Sequence, residues 1–216
     1  MIQAVVFDLD GVLLQSEEVW DAVRERYVRE RGGRYDEDVQ RAMMGMSAPE
    51  WSRFLAEDAG VPGPPEQINA DVVDLMLEAY RRDLPLLPGA VAIVGRLAAQ
   101  FPLALASSSN RAIFEEALRL AGLTDAFQAT VSSEEVAQGK PAPDVYLEAA
   151  RRLGVAPERC AAVEDSHAGI RSAHAAGMRV IAIPNASYPP DDEALALADV
   201  VLESLDELTT SRVEGS

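Results

Sequence analysis

The chain has 216 residues, 48% of them apolar and only 6% aromatic, and a formal net charge of −17. A field of that sign excludes nucleic acid and anionic membrane surfaces as partners, and no apolar run reaches the roughly 18 residues that a membrane span needs. It also repels phosphorylated metabolites, so a site for one would have to reverse the sign locally. Cys160 is the single cysteine, which rules out an internal disulfide and suits a reducing compartment. The start, "MIQAVVFDLD", has no basic stretch and too short an apolar run for a signal peptide, so a cytoplasmic protein is expected, a monomer or small homo-oligomer.

In chain order, residues 2–7 form a continuous apolar run, the pattern of a strand buried on both faces. It ends in Asp8-Leu9-Asp10-Gly11. No strand pattern follows until past residue 83. Val19, Trp20, Val23 and Tyr27 recur at helical spacing up to the Gly32-Gly33 stop. Residues 36–44 read as a second helix. "SAPE" has the spacing of a capping box, Ser47 to Glu50, and opens a third helix running to Gly60. Pro64-Pro65 opens a fourth, ending near Asp83, and "LPLLPG" is a stiff return linker. Apolar runs at 103–106, 129–131, 160–163 and 179–183 then alternate with helical segments at 89–100, 110–121, 144–153 and 166–176. A sixth short strand fits 200–202, and the tail "TTSRVEGS" is expected to fray. The pattern predicts an α/β fold: a Rossmann-like parallel-sheet core over residues 1–15 and 86–216, with a helical cap domain inserted at 16–85. In open parallel sheets ligands bind beyond the carboxyl ends of the strands. The insertion leaves from there and is expected to cover the site.

The strand ends carry the chemistry. The first ends in Asp8 and Asp10, the second in Ser107-Ser108-Ser109-Asn110 and the fourth in Glu164-Asp165-Ser166; Gly139-Lys140-Pro141 follows the third. Each cluster alone could be turn or cap chemistry. Together they bring carboxylates, hydroxyls and the chain's single lysine to one sheet edge. Like charges about 4 Å apart cost roughly 4 kcal/mol per pair at an effective dielectric near 20. Converging carboxylates therefore call for a cation, and an all-oxygen set selects a hard one, Mg2+. Such a metal suits phosphoryl transfer. Asp8 could attack phosphorus to form an aspartyl-phosphate, Asp10 could protonate the leaving oxygen and then activate water, and Lys140 and Ser107 could hold phosphate oxygens. The expected phosphate-binding set is Ser107, Ser108, Asn110 and Lys140. The expected metal set is Asp8, Asp10, Asp165 and Glu164.

The stretches "FDLDGVL", "LALASSSN", "GKPAPDVY" and "VEDSHAGIRSAHAAGM", in this order, resemble the haloacid dehalogenase-like hydrolase superfamily. The likeness is to its helical-cap branch of phosphoglycolate phosphatases, sugar phosphatases and β-phosphoglucomutases, and it covers nearly the whole chain. The resemblance implies a phosphatase acting on a small phosphorylated metabolite. In it Asp8 matches the nucleophile, Asp10 the general acid/base and, through its main-chain carbonyl, a metal ligand. Ser107 matches the phosphate-binding hydroxyl, Lys140 the lysine that steadies nucleophile and phosphate, and Asp165 a magnesium ligand, with Glu164 beside it as a ligand or a partner of ligands. The eighteen arginines against one lysine fit a position that needs a compact ammonium.

Several departures refine this. Gln15-Ser16-Glu17 stands where many phosphatases of the branch read "DSE". Trp20 and Ala48 stand where β-phosphoglucomutases carry a histidine and an arginine. On that reading the cap has no polar group to seat a second phosphate, which favours water as acceptor over phosphate-shifting isomerase activity. The cap also lacks a Schiff-base lysine, which argues against phosphonoacetaldehyde hydrolysis, and the presence of Asp10 argues against true dehalogenation. A non-catalytic phosphometabolite-binding protein is the third alternative. Trp20 is expected to pack inside the cap, while Met43, Met44, Met46 and Trp51 either pack there or line a leaving-group pocket.

Overall fold

Six parallel strands form one sheet in the order β3-β2-β1-β4-β5-β6. They are β1 (Ala4–Phe7), β2 (Leu103–Ser107), β3 (Ala129–Ser132), β4 (Cys160–Glu164), β5 (Arg179–Ala182) and β6 (Val200–Val201) in the computed structural model, which describes residues 1–43, 46–185 and 188–215. Each strand lies within a residue or two of its expected place. Met44 and Gly45, part of the expected Met43–Met46 run, lie outside the described residues.

Alternation along the strands sorts the side chains between two apolar layers. Val5 and Phe7 of β1 face one layer, with Leu103, Leu105, Val163 and Ile181. Helices α5 (Ala90–Ala98) and α6 (Arg111–Ala121) pack there through Ile93, Leu97, Ile113 and Phe114. The opposite face is lined by Ala4, Ala104, Ala106, Ala162 and Ala182, where small side chains let α7 (Asp144–Leu153) and α8 (His167–Ala175) approach closely. Cys160 is buried in this layer. A short α9 (Asp192–Leu195) follows β5.

The C-terminal segment differs from expectation. Thr210–Glu214 forms a last helix, α10, capped by the Thr209 hydroxyl and tied down by the buried Val213. One apolar side chain docked on the core is what holds it against fraying.

Helices α1 (Glu17–Glu30), α2 (Glu37–Met43), α3 (Ala48–Glu57) and α4 (Pro65–Arg82) stand between β1 and the rest of the core in the chain. The Ser47–Glu50 box is present, with the Ser47 main-chain N–H donating to Glu50 Oε2 at 2.7 Å. The insertion's buried residues, among them Tyr27, Trp51, Leu55, Ile68 and Met76, belong to the same contiguous cluster as the first sheet layer. Its two connections to the core run side by side: the Gln15 N–H donates to the Pro85 carbonyl at 2.8 Å, and the Leu87 N–H to that of Leu13 at 2.9 Å.

Candidate active site

Strand order reverses between β1 and β4, the crevice where open α/β sheets bind ligands. Asp8 directly follows β1, Glu164 closes β4 and Asp165 follows it. One carboxylate oxygen each of Asp8, Glu164 and Asp165 lies within 4.8 Å of the others, and all three residues are buried. Gly11 allows the approach: its φ is 78°, and a Cβ there would fall on the Asp165 carboxylate.

Lys140 reaches this point from the loop after β3. Its Nζ donates to Asp8 Oδ1 at 2.7 Å and to Glu164 Oε1 at 2.5 Å. Tyr146 of α7 donates its hydroxyl to the same Glu164 oxygen at 2.6 Å. Glu164 Oε2 accepts from the main-chain N–H groups of Asp165 and Ser166 and from the Ser166 hydroxyl, at 3.1 to 3.4 Å. Ser166 Oγ in turn accepts from Gly169 N–H and caps α8. Both Glu164 oxygens are thus engaged within the protein. Of the two roles expected for Glu164, the geometry favours the partner that anchors Lys140 over the direct metal ligand.

Asp10 is gripped by serines. Ser16 Oγ donates to its Oδ1 at 2.5 Å, and Ser109 Oγ and Ser107 Oγ donate to its Oδ2 at 2.7 and 3.4 Å. Ser107 Oγ also accepts from the Ser109 N–H. Of the expected phosphate-binding residues, Ser108 and Lys140 line the cavity described below. Asn110 is engaged elsewhere: its amide donates to Asn69 of α4 and to Glu134, which makes it a tie between insertion and core.

Burial, with the Glu164 and Asp10 charges and against the pull of Lys140, pushes Asp8 up to about 8. Burial, then the Glu164 and Asp8 charges, holds Asp165 well above the ordinary carboxylate range. Burial alone would lower Lys140, but Asp8 and Glu164 outweigh it and raise it. One ammonium does not neutralise this many carboxylates. The all-oxygen donor set fits a hard cation beside Asp8 and Asp165.

A cavity of about 180 Å³ opens from Asp8, Asp10 and Asp165 toward the insertion. Trp20, Met43, Met46 and Trp51 all line it, so Trp20 faces the site as well as packing in the insertion. Sequence reasoning missed Arg24 on the same wall. It follows Trp20 by four positions, one helical turn, and that spacing was the available signal. Its guanidinium lies 4.5 Å from the Trp20 ring centre and 5.1 Å from that of Trp51. The insertion therefore does present a cationic side chain to the cavity, which the sequence expectation of a cap without such polar groups left out. Glu17 also lines the cavity; burial and the Asp10 charge raise its pKa. Gln40 of α2 donates to the Tyr188 hydroxyl at 3.3 Å, and both border the cavity.

The model of a hydrolase family, haloacid dehalogenase-like hydrolase, matches residues 2–177. Hexitol phosphatase B of Escherichia coli is 34% identical over 99% of this chain and 97% of its own length. The bifunctional riboflavin kinase/FMN phosphatase of Arabidopsis thaliana is also 34% identical, over 93% of this chain, which spans only about half, 53%, of that longer protein. The crystal structure of CbbY from Rhodobacter sphaeroides in complex with phosphate superposes with a TM-score of 0.87 at 29% identity, covering 99% of this chain and 100% of that one.

Proposed function

Because the chain belongs to the haloacid dehalogenase-like hydrolases, we propose that it is a Mg2+-dependent phosphatase of a small phosphomonoester, working through an aspartyl-phosphate. The observation that carries this reading is the Asp8 carboxylate held by Lys140 at the strand crossing, with Asp10 facing the same cavity. The phosphatase names of the two relatives support hydrolysis over phosphate shifting. In this reading residues 16–85 are the cap and residues 1–15 and 86–216 the catalytic core.

Asp8 attacks phosphorus, forming the acyl-phosphate bond as the ester P–O bond breaks. Lys140 holds Asp8 in line and, with Ser108, meets the phosphoryl oxygens, while the fully buried Ser107, expected there too, instead steadies Asp10. Asp10 gives its proton to the leaving oxygen and then takes one from the water that attacks the acyl-phosphate. The Ser16 and Ser109 hydroxyls suit both states, since each can turn from donor to acceptor as Asp10 gains the proton. Asp8, Asp165 and the Asp10 main-chain carbonyl would hold the Mg2+, which when bound supplies charge neutralisation for the phosphoryl group. A lone, buried thiol and the lack, among the described residues, of any helix long and apolar enough to cross a membrane support a cytoplasmic setting.

The test is turnover of p-nitrophenyl phosphate and a panel of sugar, polyol and acid phosphates, with Mg2+ and with excess chelator. Turnover should require Mg2+ and vanish in Asp8→Asn. Chelator-insensitive turnover, or an active Asp8→Asn, would sink the reading.

A further inference from the structure

We propose that Arg24 makes this cavity selective for phosphomonoesters carrying a second anionic group, a carboxylate or a second phosphate, at the end remote from the reacting phosphoryl. The inference rests on the phosphatase reading of the same site and names its substrate class.

Arg24 lies on α1, on the insertion's side of the cavity, while Lys140 serves the phosphoryl end from the core. Among the described residues no carboxylate lies in ion-pair range of its guanidinium, although the chain has 36 acidic residues. Asp21 on the same helix is taken up by the Tyr35 hydroxyl, at 2.6 Å. Asp10 accepts from its serines, and the charges of Asp10 and Asp21 act on the guanidinium without contacting it. Arg24 Nε is buried with no hydrogen-bond partner. Burial lowers the guanidinium to about 10, so it stays charged near neutral pH.

A half-buried guanidinium with an unpartnered Nε and no carboxylate in direct contact lacks a close counter-charge, and an arriving anion supplies it. The flanking indole rings hold the planar fork in place, so little side-chain freedom is lost when it closes on two oxygens. A neutral hydroxyl would leave the guanidinium without a close counter-charge. The cavity, at about 180 Å³, suits a short carbon skeleton between the two charges.

The test uses matched pairs. 3-Phosphoglycerate and glycerol 3-phosphate differ by a carboxylate in place of a hydroxymethyl group. Fructose 1,6-bisphosphate and fructose 6-phosphate differ by one phosphate. In the Mg2+-loaded wild type, kcat/KM should favour the doubly anionic member of at least one pair by about 30-fold, the worth of one ion pair near 2 kcal/mol. The pair that responds identifies carboxylate or phosphate. In Arg24→Met, which keeps an apolar stem against the tryptophans, the ratio should collapse toward one. A ratio within one preparation does not depend on the fraction folded. Equal use of both members of both pairs by the wild type, or a ratio that survives Arg24→Met, would overturn the proposal. Calorimetry of the same compounds on Asp8→Asn, with Arg24 retained, separates the two readings. Preferential binding of the doubly anionic member without any wild-type turnover would keep the role of Arg24 and sink the phosphatase; equal binding would sink the role of Arg24.

Discussion

Lys140 is the only lysine of the chain, and its ammonium bridges Asp8 and Glu164, which arrive on different strands. A compact charge with three donors suits that position; a planar fork does not. Glu164 needs every donor it has, because a buried carboxylate left short of partners is costly. Replacing Tyr146 by Phe should therefore lower the free energy of unfolding by about 1.5 to 3 kcal/mol, the worth of a hydrogen bond to a charged group. Urea unfolding checks this, and kcat should fall with it as Lys140 loses its fixed anchor. Asp8, Asp10, Lys140 and Asp165 were legible in the sequence because each sits at a strand end or in the loop beyond one, and its side-chain chemistry is distinctive. Tyr146 and Ser109 were not, since each acts through a contact between elements. Arg24 shares a helical face with Trp20, yet which face looks into the cavity depends on how the insertion docks.

Strands buried on both faces read plainly from continuous apolar runs, and several helices from their glycine stops; their ends moved, and the short α9 and α10 went unread. What the pattern could not show is how tightly α8 sits on β4. Gly169 in the first turn of α8 lies so close to Glu164 that a Cβ would fall on its carboxylate. Gly169→Ala should cost about 1 to 3 kcal/mol as an overpacked site and reduce kcat by shifting Glu164 under Lys140. Gly95 in α5 is the control: a Cβ there meets nothing within 4 Å. Gly95→Ala should gain about 0.5 to 1 kcal/mol and leave kcat unchanged. Thermal melts of the two variants, read in parallel, check both signs.

The molecule as a whole carries a net charge of −17 and takes anionic substrates in the proposed reading. Its far field opposes encounter, while Lys140 and Arg24 act only at short range. Salt screens the far field first, with a Debye length of about 10 Å at 0.1 M. At saturating Mg2+, kcat/KM for a phosphate ester should therefore rise about two- to threefold between about 10 and 150 mM inert salt, the reverse of a basic enzyme. Initial rates at low substrate read this directly, and a fall would show that local charges dominate the encounter. The outgoing and returning chains at Leu13–Gln15 and Pro85–Leu87 are stitched together by main-chain hydrogen bonds. The insertion is thus joined covalently to the core at one narrow doorway. Covalently it needs only that doorway, yet it also rests on the core through a shared apolar cluster, the Asn69–Asn110 bond and the Ser16 hydroxyl on Asp10, so exchanging it would alter the grip on Asp10 together with the cavity wall.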